Sequence, residues 1–360
     1  MTTPIPLFVE LCAGTAAVSL RLHRDGARPP VSRQGAKTGY ADAILRILGL
    51  IPGQRAAAYL WCEPDPGVRL LLHAYRDAGL ARAAAAIIRG WAAEDPRALW
   101  ERLRAEGPPR LPEGAVDAGE VARFIVDTCT SIGHMAGEGG FAATQTGDGS
   151  PNNPRGPRKM PNLASVVDRT PTLPATITPD ARHIDPREVA RWAQITASNR
   201  LIHTAWSDTE GRWINTGDGG ATFGGAAFCS PPERTAEGFD AAPGDVPALI
   251  HPDARTIDPP ALPPGTICYM DPSYVGTTGY AHDLPRSEVV ALARRWAAAG
   301  ATVAISEAEP IPELVAEGWF AVEITGERIG QARTFSKQKR EWVTLNRPPA
   351  WVPPVQGSLF

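Results

Sequence analysis

The densest group of reactive side chains is Tyr269-Met270-Asp271-Pro272-Ser273-Tyr274, followed by Gly276-Thr277-Thr278-Gly279-Tyr280. Pro272 contributes a carbonyl but no N–H, so with the Asp271 carboxylate it forms a corner rich in acceptors. Such a corner can hold both hydrogens of an amino group and leave the nitrogen lone pair to attack a methyl donor. Tyr274 offers a face on which a base taken out of its stack can rest. The structural alternative is a proline turn after a strand, with Asp271 capping and Tyr274 packing.

A second group could hold a cofactor. Phe8-Val9-Glu10-Leu11-Cys12-Ala13-Gly14-Thr15 leads into a helical stretch. A strand, a turn with one glycine and a helix N-terminus form a cradle where backbone can approach a ligand closely. Packing alone also produces such junctions. Glu63-Pro64-Asp65-Pro66 closes the next strand. An acidic side chain there can accept from both hydroxyls of a ribose, or it can complement a helix dipole. Asp65 competes with Glu63 for that role.

The elements that must position these residues follow an α/β grammar. The runs 6–12, 59–62 and 265–270 are short and apolar, as buried parallel strands are. Helical periodicity follows at 16–23, 39–48 and 68–75. Ser287 is the expected N-cap of a helix to Ala299, ended by Gly300. A strand at 301–305, a short helix at 309–317 and a closing antiparallel pair at 320–324 and 341–345 complete the pattern. The middle differs. Ala-rich helices at 80–106 and 121–129, a Gly/Pro/Asn-rich tract at 137–161, a helix at 186–203 and a Gly/Thr/Asp-rich stretch at 208–225 read as an insertion. The expected organisation is a sheet domain of residues 1–78 and 263–347, an insertion of residues 79–262, and a proline-rich tail of residues 348–360.

Composition narrows the setting. The chain has 360 residues, enough for a large core with an insertion. No run of eighteen apolar residues occurs and the first thirty residues lack a signal-peptide layout, so a cytoplasmic protein without a membrane span is expected. Cys12, Cys62, Cys129, Cys229 and Cys268 are odd in number and form no CxxC pair. Neither a metal site nor a disulfide framework is therefore expected. Trp91, Trp100, Trp192 and Trp206 are expected in the core. The net charge of −3 does not favour nucleic acid, but charge is locally uneven. Arg155, Arg158, Lys159 and Arg169 stand against Asp168 alone, and residues 326–347 hold six basic side chains against two acidic ones. These suit a charged cleft as well as a solvated surface.

Together these motifs resemble the Dam-like class of adenine-specific DNA methyltransferases of the Asp-Pro-Pro-Tyr type. Glu10 to Gly14 is similar to that family's cofactor motif I, Glu63 to Pro66 to its acidic second motif, and Asp271-Pro272-Ser273-Tyr274 to its catalytic motif. Tyr280 falls where the family often has a tyrosine. The strand 302–305 with Ser306-Glu307 resembles motif V, and 341–346 resembles the final strand. The segment Ser32-Arg33-Gln34-Gly35-Ala36-Lys37 resembles a Gly-Gly-Lys segment whose lysine lies near the cofactor. The resemblance covers about residues 5–76 and 263–347. It departs at Cys12, where the family often has Phe, at Ala16 in place of a second Gly, at Ser273 in place of Pro, and in placing Lys37 after motif I.

The resemblance implies a Rossmann-like S-adenosylmethionine-dependent methyltransferase sheet with an inserted, mainly helical and loop-rich target-recognition region. It implies S-adenosyl-L-methionine as cofactor, held by Phe8, Glu10, Leu11, Cys12, Ala13, Gly14, Thr15, Lys37, Glu63, Pro64 and Asp271. Double-stranded DNA is the implied partner and adenine N6 the implied target. Asn153, Arg155, Arg158, Lys159, Tyr280, Lys337 and Lys339 are candidate nucleic-acid contacts, with Asn199-Arg200, Arg212 and Asn215 as further ones. Cytosine N4, an RNA base or a modified base remain alternative targets, and an inactive cofactor-binding or DNA-binding module is the alternative to an enzyme.

Overall fold

The computed structural model describes residues 5–31, 37–111, 116–131, 160–178, 204–207, 212–215, 262–273, 284–324 and 341–352, with Arg182, Asp185, Pro186 and Val189 besides. The strand β1 (Phe8–Leu11) opens the chain, followed by α1 (Ala17–His23), a 3-10 turn (Lys37–Gly39), α2 (Ala41–Ile47) and β2 (Tyr59–Cys62). Four helices come next: α3 (Pro66–Arg76), α4 (Ala78–Gly90), α5 (Pro96–Ala105) and α6 (Ala118–Thr130). Then come α7 (Met160–Asp168), β3 (Ala175–Thr178), β4 (Thr204–Ser207) and β5 (Arg212–Asn215). The chain closes with β6 (Ile267–Met270), α8 (Arg286–Ala298), β7 (Thr302–Glu307), α9 (Pro312–Ala316), β8 (Phe320–Ile324) and β9 (Glu341–Leu345).

Among the described residues, seven strands form one mixed sheet in the order β3-β2-β1-β6-β7-β9-β8. Neighbours from β3 to β7 are parallel, whereas β9 runs antiparallel to both β7 and β8. The arrangement is compatible with a Rossmann-like fold. Both faces are covered, which is why the central strands are apolar at every position but one. Val9, Leu11, Leu60, Cys62, Cys268 and Met270 face a core capped by α8, where Trp296 is fully buried. Phe8, Tyr59, Trp61, Ile267 and Tyr269 face the other core, under α1, α2 and α3. Strand alternation puts Glu10 on this second face, in register with Trp61 and Tyr269.

Aspartates start four of the helices. Asp65, Asp77, Asp95 and Asp117 each accept from two backbone N–H groups of the turn they open, and Pro66 and Pro96 occupy a first-turn position that needs no donor. Gly300, at φ 96°, ends the environment of α8 as expected. Its start differs: Pro285 is the N-cap, with no side-chain cap, and Ser287 lies inside the helix. Asp95-Pro96 also splits the Ala-rich region 80–106 into α4 and α5.

Elements beyond residue 79, expected in an insertion, pack against the sheet. Helices α4, α6 and α7 bury Ala84, Ile88, Phe124, Ile125, Leu163 and Val167 in the core shared with α3. Strand β3 pairs with β2 and supplies the sheet's edge. Helices α4, α6 and α7 and strand β3 thus belong to the sheet domain. Trp91 and Trp100 are only partly buried there. Helix α5 reaches the domain through Leu99 and Leu103, while the Trp100 indole donates to Ser131 Oγ at 3.1 Å. Strands β4 and β5 form a separate antiparallel pair, which the composition of that stretch does not suggest. Cys62 and Cys268 are buried as expected. Among the described residues no helix is long and apolar enough to cross a membrane.

Two hydrogen bonds through Ser19 tie three of these elements together. The Trp61 indole on β2 donates to Ser19 Oγ at 2.9 Å, while the Ser19 N–H in the first turn of α1 donates to Glu10 Oε1 on β1 at 3.1 Å. Ser19 and Trp61 are both fully buried. Ser19→Ala leaves the indole N–H unmatched and is expected to lower folding stability by about 1–3 kcal/mol. Urea unfolding monitored by tryptophan fluorescence checks it, and a loss below a few tenths of that range would remove the clamp from the account.

Candidate functional site

Strand order reverses at β1, which has β2 on one side and β6 on the other. Successive crossovers leave such a point in opposite directions and open a crevice beyond the carboxyl ends of the strands. The three turns that follow β1, β2 and β6 meet there. Leu11 and Met270 are register partners, and the Asp271 N–H donates to the Leu11 carbonyl at 3.4 Å. The Ala13 N–H donates to the Cys62 carbonyl at 2.8 Å.

The turn after β1 is built from left-handed residues: Cys12 at φ 71°, Gly14 at φ 50° and Ala16 at φ 49°. Only Gly14 adopts this conformation without steric cost. The Gly14 N–H donates to Glu63 Oε2 at 2.7 Å, and the Asp65 N–H donates to Glu63 Oε1 at 2.9 Å. Glu63, 7% exposed, therefore joins the turn after β2 to the turn after β1. Asp65 has the other role: its Oδ1 accepts from Gly67 and Val68 and caps α3. A Cβ added at Gly14 would meet no described atom within 4 Å, so among the described residues nothing fills the space in front of the turn. Cys12 and Ala13 are half-buried beside it, Thr15 is buried and Pro64 is exposed. Phe8 and Leu11, by contrast, are wholly enclosed in the two cores and present no surface to a ligand.

Beyond β6 the charged residues gather. Lys37 Nζ lies 2.6 Å from Asp271 Oδ1 and 3.3 Å from Glu341 Oε1. Lys37 comes from the 3-10 turn ahead of α2 and Glu341 from the first position of β9. Lys37 and Glu341 are buried, while the Asp271 side chain keeps 20% of its surface exposed. The position of the lysine segment after motif I thus does not keep Lys37 from the site. Burial opposes the Lys37 charge, but Asp271 and Glu341 hold its ammonium above the ordinary lysine value. Burial pushes Asp271 up to about 6, against the pull of Lys37. Pro272 is buried and Ser273 half-buried at the same corner. Tyr269 donates to, or accepts from, Ser306 Oγ at 2.8 Å below it.

Two further carboxyls lie near. Glu10 is 2% exposed, its Oε2 has no hydrogen-bond partner among the described residues, and burial raises it to about 8. Glu307, at the end of β7, is raised to about 7 by burial. Asp271 acts electrostatically on both. The crevice therefore gathers carboxyl groups around Lys37, with Arg286 acting on Glu307, and a cation entering it would be favoured.

Tyr274, Tyr280, Asn153, Arg155, Arg158, Lys159, Lys337, Lys339, Asn199 and Arg200 lie outside the described residues. Arg212 and Asn215 belong to β5. No group of His, Cys, Asp and Glu suited to a metal ion occurs among the described residues. Sequence reasoning did not assign Glu341 or Glu307 to the site. A signal for Glu341 existed: alternation along β9 puts it on the same face as Val343 and Leu345, and a carboxylate on a core face needs a charged partner.

Glu10 makes stability depend on pH in a direction opposite to an ordinary salt-bridged carboxylate. It keeps its proton up to about 8 when folded, but its unfolded value is 4.5. The folded state thus binds more protons between those values, and stability falls as pH rises through them. Asp271, moved from 3.8 to about 6, adds in the same sense in the lower part of that window. Glu10→Gln is expected to be more stable than the parent above about pH 8, with the gap closing toward about pH 5. Urea titrations across that range decide it, and parallel curves for the two proteins would refute the assignment. No protein-family model and no curated protein matches this chain, so its chemistry is read from the site itself.

Proposed function

We propose that this chain is a site-specific DNA methyltransferase that transfers a methyl group from S-adenosylmethionine to an exocyclic amino group, with adenine N6 as the target. The observation that carries the reading is the adjacency of the Gly14 turn and the Asp271 corner, joined by the hydrogen bond from the Asp271 N–H to the Leu11 carbonyl. A donor held by the first and an acceptor held by the second are within reach of each other only in this arrangement.

The residues present fit the cofactor. The open space in front of Gly14 admits a ligand against the backbone. The Glu63 oxygens accept the Gly14 and Asp65 N–H groups, which fixes an acidic side chain beside the turn, where a ribose hydroxyl could donate to it. The Asp271 carboxylate favours a positive ligand. When bound, S-adenosylmethionine supplies an electrophilic methyl on a positively charged sulfur. Asp271 and the Pro272 carbonyl would accept the two amino hydrogens of the target and turn its lone pair toward the crevice. Lys37 keeps Asp271 ionised at neutral pH despite burial. Positioning of the amine provides the acceleration. The base must leave the duplex to reach this corner, because the amino group is otherwise paired.

The test is methyl incorporation into duplex DNA from labelled S-adenosylmethionine, followed by nucleoside digestion and mass identification. N6-methyladenine is the expected product, and Asp271→Ala is expected to lower the rate by at least about a hundredfold. Equal incorporation by the two proteins would remove Asp271 from the mechanism, and N4-methylcytosine would reassign the target. Binding without turnover on any nucleic acid would favour a binding module. Cofactor binding is checked separately by calorimetry on Gly14→Ala, whose methyl enters the open space in front of the turn. Its strain costs about 1–2 kcal/mol of stability, so a folded variant that no longer binds is expected. Unchanged affinity would move the cofactor elsewhere.

A further inference from the structure

We infer that Glu341 is a positioning residue: it anchors the Lys37 ammonium in the crevice and thereby sets how strongly Asp271 accepts a donor. The inference rests on the proposed role of Asp271, but its geometry stands without it. Lys37 Nζ reaches Asp271 Oδ1 at 2.6 Å and Glu341 Oε1 at 3.3 Å, with Lys37 and Glu341 both nearly inaccessible to solvent. The two carboxylates are not equivalent, since Asp271 retains 20% of its side-chain surface and Glu341 only 6%. One faces the crevice and the other closes the back of it.

A buried ammonium has three donors and cannot stay charged without counter-charge. Were Asp271 its sole partner, the pair would be closed and an incoming amine would have to break it. With Glu341 as the second acceptor, Lys37 stays charged and fixed while Asp271 turns part of its accepting capacity outward. Among the described residues, the groups acting on Asp271 or acted on by it are Lys37 from the 3-10 turn, Glu341 from β9, Glu10 from β1, Glu307 from β7 and Tyr269 from β6. Among them Lys37 favours the Asp271 anion and Glu341 opposes it. Neutralising Glu341 therefore leaves Lys37 more fully to Asp271, which becomes easier to ionise and a weaker acceptor.

The experiment is a carbon-13 NMR titration of the Asp271 carboxyl in the full chain without cofactor, in parent, E341Q and E341D, with D271N to assign the signal. The midpoint is expected to fall by about half a pH unit or more in E341Q, and by less in E341D, whose carboxylate is drawn back one methylene. In turnover assays the acid limb of kcat/KM should move the same way. The plateau kcat of E341Q should fall about tenfold while KM for the cofactor stays within about twofold. An unmoved Asp271 midpoint in E341Q overturns the inference. Should circular dichroism show E341Q unfolded, E341D decides in the same way. The titration needs no methyl transfer, so an inactive parent would count against the proposed function alone.

Discussion

Lys37 is one buried ammonium that joins three distant stretches of chain. Its own 3-10 turn precedes α2, Asp271 follows β6 and Glu341 begins β9. Removing one partner of a buried pair costs far more than the pair contributes net, about 3–5 kcal/mol, because a charge is left without solvent or counter-ion. The corner, the last strand and the turn before α2 must therefore arrive together or not at all. That coupling orients Asp271 before any ligand is present. A preformed acceptor loses nothing to reorganisation when a donor arrives.

Backbone strain lies next to that charge cluster. Cys12 and Ala16 hold left-handed backbone on either side of Gly14, where a Cβ ordinarily forbids it. Each costs about 1–3 kcal/mol and persists only where the surroundings overdetermine it. Here the surroundings can be named. The Ala13 N–H and Gly14 N–H are held by the Cys62 carbonyl and the Glu63 carboxylate, and Ala16 sits in the core with no exposed surface. The result is a turn that bends sharply from β1 into α1 and leaves its outer side open.

Most of the sheet was legible because its strands are short apolar runs bounded by Gly, Pro or acidic residues. The stretches 59–62, 320–324 and 341–345 needed no adjustment. What periodicity could not reveal was which layer the middle helices join. An amphipathic helix declares that it has a core face, not which core it meets, so α4 and α6 read as an insertion although they share a core with α3, while α7 falls in a stretch whose Gly, Pro and Asn content gave no helical pattern. The site was legible in part for a similar reason. Glu10, Gly14, Glu63 and Asp271 each stand at the end of a strand, where local sequence marks a turn. Lys37 meets Glu341 across roughly three hundred residues of chain, and nothing in either neighbourhood names the other.

Ser273, which follows Pro272 at the corner, can be weighed against this geometry. A proline there would bias Pro272 toward extended backbone and so help aim the preceding carboxylate. In this chain two other restraints act on Asp271 directly. Its N–H is held by the Leu11 carbonyl and its carboxylate by the Lys37 ammonium, one from the strand behind and one from the side. Pro272 itself is buried, and its ring fixes its own φ without help from the residue that follows. Two restraints on Asp271 and one on Pro272 leave little for a second proline to add. The acceptor pair is thus held by contacts between elements rather than by the stiffness of its own four residues, and the Lys37–Glu341 link is what keeps one of those contacts in place.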